Sequence, residues 1–277
     1  MTRIRLDKLL VKRNMAENYE DAAKLISTGQ ILVNGSAQTS VVSYVDNASA
    51  IEYMPVKSRY VSRGGFKLEH ALTRFAISPE GKRCLDIGAS TGGFTDCLLQ
   101  HGAAHVVALD VGHGQIDASL RNDDRVSVFE KTNARTITPQ SIGGMCTLGV
   151  ADVSFTSIIP LINPVVGCLE PVEFIALIKP QFECDQRDID SRGVVTRPHA
   201  HRDCIVRVRD SLSSRLSMVD IVVSPIKGAK GNSEYLCLIV DNNFAGSDPA
   251  KEPPIVDDSR IESVVARAFE TPEETHD

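Results

Sequence analysis

From Arg83 onward the sequence repeats one pattern: a short apolar run, a turn, then a stretch of helical length. Strand-like runs fall at 83–87, 105–110, 126–129, 147–152, 173–178, 219–224 and 235–240. Short runs this apolar suit strands covered on both faces, and their alternation with helices predicts a parallel, doubly wound, Rossmann-like α/β sheet. The segment SPIKGAKGNSE, between the last two runs, suits an antiparallel hairpin at the sheet edge. No internal repeat is visible.

The longest apolar run, Phe174–Ile178 with its neighbours, is far short of the roughly 20 residues that span a bilayer. The opening MTRIRLDKLLVKR has the charge of a signal peptide but no continuous apolar core behind it. The seven cysteines (84, 97, 146, 168, 184, 204 and 237) form an odd set without a CxxC pair, several inside apolar patterns. That usage predicts reduced thiols in a cytoplasmic protein, and neither a disulfide framework nor a metal site. His113, His199 and His201 show no ligand spacing and read as surface or loop residues.

Charge is unevenly placed. The net charge is −6, yet residues 241–277 alone hold ten acidic and three basic side chains. Residues 1–75 hold eleven basic and seven acidic groups. The acidic, Pro-containing tail from 245 to 277 is expected to be disordered, and the modest basic footprint lies at the opposite end.

At that basic end, Leu6, Leu9 and Leu10 share one face of a helix expected over 4–15, with Arg3, Arg5, Lys8, Lys12 and Arg13 around the rest. A second helix is predicted to start at Asn18, a capping residue followed by Glu20 and Asp21, and to end at Gly29. QILVNGSAQ then gives a strand and an Asn34-Gly35 hairpin turn. The stretch RLDKLLVKRNMAENYEDAAKLISTGQILVNG resembles the RNA-binding domain of small-subunit ribosomal protein S-four. The resemblance implies an RNA-binding module over 1–58, with Arg3, Arg5, Lys8, Lys12 and Arg13 as candidate phosphate contacts. Many members carry Ser-Arg at the start of the second helix, where this chain has Asn18-Tyr19-Glu20. Loss of that cation weakens the expected phosphate grip.

A linker is expected around Met54–Ser58, and the second domain over 59–244, with 59–65 connecting the two. Arg59 and Arg63, beside Gly64-Gly65, are candidate RNA contacts or a coupling element, with an interdomain salt bridge as the plain alternative. Lys227 and Lys230 are further candidates for RNA backbone.

The first sheet strand runs into CLDIGASTGGFTDCL, a glycine-rich turn opening a helix. Such turns hold nucleotides at the carboxyl ends of parallel strands. The dinucleotide fingerprint places a second glycine two positions after the first, where this chain has Ser90. Asp86 stands just ahead of Gly88, where a carboxylate opposes a pyrophosphate but suits the ammonium of S-adenosylmethionine (SAM), directly or through water. Asp110 ends the next strand, placed for ribose hydroxyls of either SAM or NAD. These features favour SAM, held by Asp86, Gly88, Ala89, Ser90, Thr91, Gly92, Gly93, Phe94, Asp110, Asn133 and Asp152. Asn133 is placed to read an adenine edge, whereas Glu130 reads equally as cofactor contact or loop support.

Four further residues have the chemistry to handle a nucleophile. Lys67 lies in SRGGFKLEHAL, Asp152 in DVSF, Lys179 in LIKPQFE and Glu234 in KGNSEYL. Together with LDIGASTGGFTDCLLQHGA, these stretches resemble the TlyA family of ribosomal RNA 2′-O-methyltransferases, whose catalytic domain is FtsJ-like. The resemblance spans nearly the whole chain except the tail. It implies a Lys-Asp-Lys-Glu catalytic tetrad at Lys67, Asp152, Lys179 and Glu234, SAM as cofactor, and the ribose of ribosomal RNA, cytidine by family precedent, as acceptor on RNA or ribosomal subunits. A hydroxyl is a poor nucleophile and must be oriented and relieved of its proton. Lys179 acts as a base where a neighbouring ammonium, Lys67, lowers its affinity for protons, or else it orients the oxygen; both readings stay open. A non-catalytic RNA-binding or ribosome-assembly factor is the alternative, and the absence of an apolar span opposes a membrane-lytic protein.

Overall fold

The computed structural model describes residues 3–54, 58–242 and 255–270. It separates into two compact units, Met1–Arg59 and Tyr60–Asp277.

In the first unit, β1 (Arg3–Arg5) leads directly into α1 (Leu6–Lys12), then α2 (Tyr19–Ser27). The helix expected over 4–15 is thus shorter at both ends. Residues 3–5 pair instead with β4 (Tyr44–Asp46), beyond the hairpin of β2 (Ile31–Val33) and β3 (Ser36–Gln38). Strand β5 (Ile51–Tyr53) adds to β2. Leu6, Leu9 and Leu10 are buried, with Leu6 and Leu10 packed among Ala22, Ile26 and Ile31. The Asn18 side chain accepts the Asp21 amide at 2.9 Å. Asn34 and Gly35 both take positive φ (50° and 79°), as a tight two-residue hairpin requires.

The second unit starts with α3 (Gly64–Phe75) and β6 (Arg83–Ile87), followed by α4 (Gly93–Gln100), β7 (His105–Leu109), α5 (Ala118–Arg121) and β8 (Val126–Phe129). The chain then crosses to β9 (Leu148–Ala151), α6 (Ile159–Val166), β10 (Glu173–Ile178) and α7 (Pro180–Glu183). Helix α8 (Pro198–Asp210), β11 (Leu216–Val223), β12 (Tyr235–Asp241) and α9 (Asp258–Phe269) complete it. The seven strands lie in the order β11-β12-β10-β9-β6-β7-β8, parallel from β10 to β8, with β12 antiparallel to both neighbours. Apolar side chains form a cluster on each face, one built with α3 and α4, the other with α6, α8 and α9. The strand order reverses between β6 and β9. In an open parallel sheet that reversal is where a crevice opens beyond the strand ends.

Two expectations are corrected. Residues 60–65 are not a connector: Tyr60 is buried edge-on against Phe66, ring centroids 5.1 Å apart, and a Cβ on Gly65 would lie 2.2 Å from the Tyr60 ring. The Val61 amide donates to Asp96 at 2.8 Å. The acidic tail is also not disordered throughout. Its residues 258–269 form a helix capped by Asp257, which buries Ile261, Val264 and Val265. Arg209 and Arg202 of α8 pair with Asp258, and Arg260 pairs with Asp220. The acidic count of the tail hid an amphipathic stripe that α8 and β11 cover. The rest of the tail, 245–254 and 271–277, lies outside the described residues, as do residues 55–57 of the expected linker.

Candidate active site

The glycine turn follows β6 at the sheet reversal. Gly88 has φ +79°, and a Cβ there would stand 2.6 Å from the Asp152 carbonyl oxygen. Gly92, at φ +97°, has Leu120 where its Cβ would be. Ser90 also adopts a left-handed φ of 49°. The turn is therefore pressed against the end of β9, which brings Asp152 beside it. Asp110 carries the other side: its carboxylate accepts the Ser90 amide at 2.8 Å and the Gly112 amide at 2.6 Å.

Two cavities meet at this turn and share Gly88, Ser90, Asp152, Ser154 and Phe155. One, of about 520 Å³, reaches Asp110, Val111, Gln115 and Asn133. Its wall is polar at Asp110 and apolar at the exposed Val111. Asn133 uses its side-chain oxygen to accept the Arg135 amide, leaving the carboxamide nitrogen as a donor. The other, of about 700 Å³, holds Lys67, Asp152, Lys179 and Glu234 together. Arg63, Lys227 and Lys230 also line it.

The four predicted residues form two ion pairs. Lys67 Nζ lies 2.5 Å from Glu234 Oε2, both nearly buried, and Lys179 Nζ lies 2.6 Å from Asp152 Oδ1. Lys179 also donates to Ser154 Oγ at 2.8 Å, and its amine sits 6.0 Å from the Phe182 ring centre. Gly228 is needed beside Glu234, because a Cβ there would lie 2.5 Å from Glu234 Oε1. Lys67 thus donates to Glu234, whereas Lys179 pairs with Asp152 by charge and directs its hydrogen bond to Ser154 Oγ.

Asp86 departs from its expected place. It is fully buried beneath the turn rather than on the cavity wall. Its Oδ2 accepts from Thr95 Oγ1 at 2.6 Å, and its Oδ1 has no hydrogen-bond partner among the described residues. Burial, countered in part by Thr95, pushes its carboxyl up to about 7. A buried acceptor without a donor, directly under a glycine turn, fits a cationic ligand better than a pyrophosphate.

Glu130 supports the loop: it accepts the Gly114 amide at 2.7 Å and pairs with Arg121 and His113. The Arg121 hydrogen bond, first among several contacts, holds its carboxyl below the ordinary range. His201 is not a surface residue. It is fully buried on α8, bonded to Tyr235 Oη at 2.9 Å and the Val195 carbonyl at 2.8 Å, and burial lowers its affinity for a proton. Among the described residues no His, Cys, Asp and Glu cluster could hold a metal, and no helix is long and apolar enough to cross a membrane.

The N-terminal cations are largely engaged by their own unit. Arg5 pairs with Asp7, Lys12 reaches Asn47 at 3.2 Å, and Arg13 donates to the Asn47 and Ser49 carbonyls at 2.7 and 2.9 Å. Arg3 donates to the Tyr44 carbonyl, and Lys8 is exposed. Sequence reasoning missed Ser154 and Asn232, although both sit in the quoted DVSF and KGNSEYL motifs. Asn232 joins the 193–195 turn to the Glu234 loop by accepting the Val195 amide at 2.9 Å and donating to the Gly193 carbonyl at 2.9 Å.

A nucleotide-type crevice at the sheet reversal, joined to a chamber of paired lysines and carboxylates, defines a Rossmann-like group-transfer site. Comparison with known proteins gives it a family. Residues 60–239 match the FtsJ-like methyltransferase family. The chain is 43% identical over 236 residues to the Mycobacterium tuberculosis 16S/23S rRNA (cytidine-2′-O)-methyltransferase TlyA, covering 84% of this chain and 88% of that protein. It is also 43% identical to Hemolysin A of Brachyspira hyodysenteriae, over 84% of this chain and 98% of that protein. A solved Streptococcus thermophilus structure carrying a hemolysin name is 34% identical, with TM-score 0.70 over 97% of this chain and 96% of its own. The chain belongs to the TlyA family of FtsJ-like methyltransferases.

Proposed function

We propose that this protein transfers a methyl group from SAM to a ribose 2′-hydroxyl of ribosomal RNA, at cytidine. The observation that carries the reading is the joining of Lys67, Asp152, Lys179 and Glu234 in one cavity beside the glycine turn. Membership of the TlyA family supports the acceptor. Such a substrate would place the protein in the cytoplasm.

The cofactor fits the cavity at two points. Asp110 offers a carboxylate for the ribose hydroxyls, and Asn133 with Val111 a donor and an apolar face for adenine, while Asp86 beneath the turn favours a cation above it without lining the cavity. When bound, SAM supplies an electrophilic methyl group on its sulfonium sulfur. The chain's own residues then have two tasks. Lys179, aimed by Asp152 and Ser154, donates a hydrogen bond to the attacking ribose oxygen and fixes it in line. Asp152, the more exposed of the two carboxylates, lies where it can accept the hydroxyl's hydrogen bond and then its proton as the new O–CH3 bond forms and the methyl–sulfur bond breaks. Lys67 and Glu234 maintain the charge balance behind that pair. This pairing favours Lys179 as orienting group over Lys179 as base, because both ammonium groups already face carboxylates.

Arg63, Lys227 and Lys230 at the cavity supply a basic rim for RNA phosphates, with the S-four-like N-terminal unit as a second contact. Within that unit Lys8 and Arg3 are better placed than Arg13, whose guanidinium is committed to backbone carbonyls. The test uses tritiated SAM with unmethylated ribosomal particles, followed by mapping of the labelled nucleotide. Label on a cytidine 2′-oxygen is expected. SAM binding without transfer would favour the assembly-factor alternative.

A further inference from the structure

We infer that Glu183 is a positioning residue for the Lys179–Asp152 pair, an inference that rests on the methyl-transfer reading for its kinetic part. Helix α7 is a single turn with Lys179 at its N-terminal boundary and Glu183 as its last residue. The Lys179 amine grips the start of the 152–158 loop through Asp152 and Ser154. Glu183 grips its end. Its Oε2 accepts from Ser157 Oγ at 2.6 Å, and its Oε1 accepts the Ile158 amide at 2.7 Å. One helical turn therefore closes both ends of the loop that carries Asp152.

Three features make this clamp more than ordinary packing. Glu183 is only 4% exposed, and burial raises its carboxyl's proton affinity, so its retention in the interior needs a compensating role. At the start of α6, Ile158 occupies the cap position without a side-chain hydrogen bond, Ser157 Oγ accepts the Ile159 amide at 3.1 Å, and Glu183 accepts the Ile158 amide from across the loop. Between the two grips, Phe155 has φ +66° and is 93% exposed. A non-glycine residue in that conformation persists when its surroundings over-determine it. The ends held by Lys179 and Glu183 supply that constraint. Arg207 anchors the same turn from α8, donating to the Glu183 carbonyl at 2.6 Å.

The test compares full-length wild type, Glu183→Ala and Glu183→Gln by amide hydrogen exchange and by methyl-transfer kinetics on ribosomal particles. Glu183→Ala should speed exchange at residues 153–158 and lower kcat by about 10²-fold, as expected for a displaced reacting group. The KM for SAM should rise by a smaller factor than kcat falls, because the loop borders the cofactor cavity at Asp152, Ser154 and Phe155 but leaves Asp110 and Asn133 in place. Glu183→Gln keeps an acceptor for the Ile158 amide and should recover kcat to within about threefold of wild type. Unchanged exchange in Glu183→Ala, an unchanged kcat, or a Gln variant as impaired as the Ala variant would overturn the assignment. Should Glu183→Ala not fold, Ser157→Ala, which removes one Glu183 grip along with the acceptor of the Ile159 amide, must show the same exchange and kcat losses in smaller degree, and their absence would overturn it equally. A wild type that methylates no RNA would sink the functional reading, while the exchange arm would still decide whether Glu183 holds the loop.

Discussion

The two lysine–carboxylate pairs of the site are chemically alike and built differently. Lys179 and Asp152 stand just past the ends of adjacent parallel strands, so the pairing of β9 with β10 brings them to the same edge and the Lys179 side chain spans the remaining offset. Lys67 and Glu234 are 167 residues apart and meet through packing of α3 against the loop before β12. Their exposure differs as well: the Asp152 side chain is 22% accessible and that of Glu234 3%. A partly open pair on a cavity wall can exchange its partner for substrate. A nearly dry pair cannot do so cheaply, because separating it strands a charge in the interior. The first pair is therefore suited to contact the ribose, and the second to hold the electrostatic setting.

The largest expected effect falls on the open pair. Lys179→Ala should lower single-turnover transfer by about 10²–10⁴-fold, the range for loss of an oriented proton-handling or charge-stabilising group. SAM affinity by calorimetry should stay close to wild type, since Lys179 lies in the chamber rather than the adenosine crevice. Surviving activity would remove the distinction between the pairs. Glu234→Ala tests the dry pair through stability. It leaves the buried Lys67 ammonium without its carboxylate and should cost about 3–5 kcal/mol in urea unfolding, whereas Asp152→Ala should cost less, because Lys179, equally buried, keeps Ser154 as a partner. Equal losses would mean that the Ser154 contact does not separate the two.

Legibility in the sequence follows the same division. Strand ends and glycine turns are local patterns, so the sheet, the turn at Gly88–Gly93, Asp152 and Lys179 could all be placed by reading along the chain. The two ends of the Lys67–Glu234 pair were legible only as motif residues, since no periodicity links positions so far apart. What escaped is tertiary. The tail's acidic composition concealed the stripe Ile261, Val264 and Val265, which packs into the apolar core beside α8 and β11 while Arg202 and Arg209 pair with Asp258 at its edge. His201 resembled a loop residue until Tyr235 and the Val195 carbonyl gave both ring nitrogens partners. Residues 4 and 5 read as helix because their partner strand, 44–46, begins 39 positions after Arg5. Asp86 was recognised by spacing, yet its depth beneath the turn depends on Thr95 and on the packing above it.

Asp86 is also the sharpest control on the comparison, because it is a buried carboxylate with no ammonium beside it. Burial raises its folded-state pKa from the ordinary 3.8 to about 7. Below pH 3.8 the group is protonated in both folded and unfolded chains and contributes nothing to the pH dependence. Between 3.8 and about 7 the unfolded chain has released a proton that the folded chain retains, so stability falls as pH rises. Above 7 both forms are ionised and the penalty is constant. At about 1.36 kcal/mol per pH unit the penalty is bounded at roughly 4 kcal/mol. Asp86→Asn keeps an acceptor for Thr95 and carries no such penalty. Its stability advantage over wild type without SAM should grow from pH 4 to 7 and then level off, as read from urea midpoints along a pH series. With SAM present the advantage should shrink above pH 7, because the ionised carboxylate gains a cation above the turn and the carboxamide does not. An advantage that is flat with pH would show that Asp86 is already ionised in the empty site. Some charge in the protein would then have to balance it, and Asp86 would join the two lysine pairs as a compensated carboxylate.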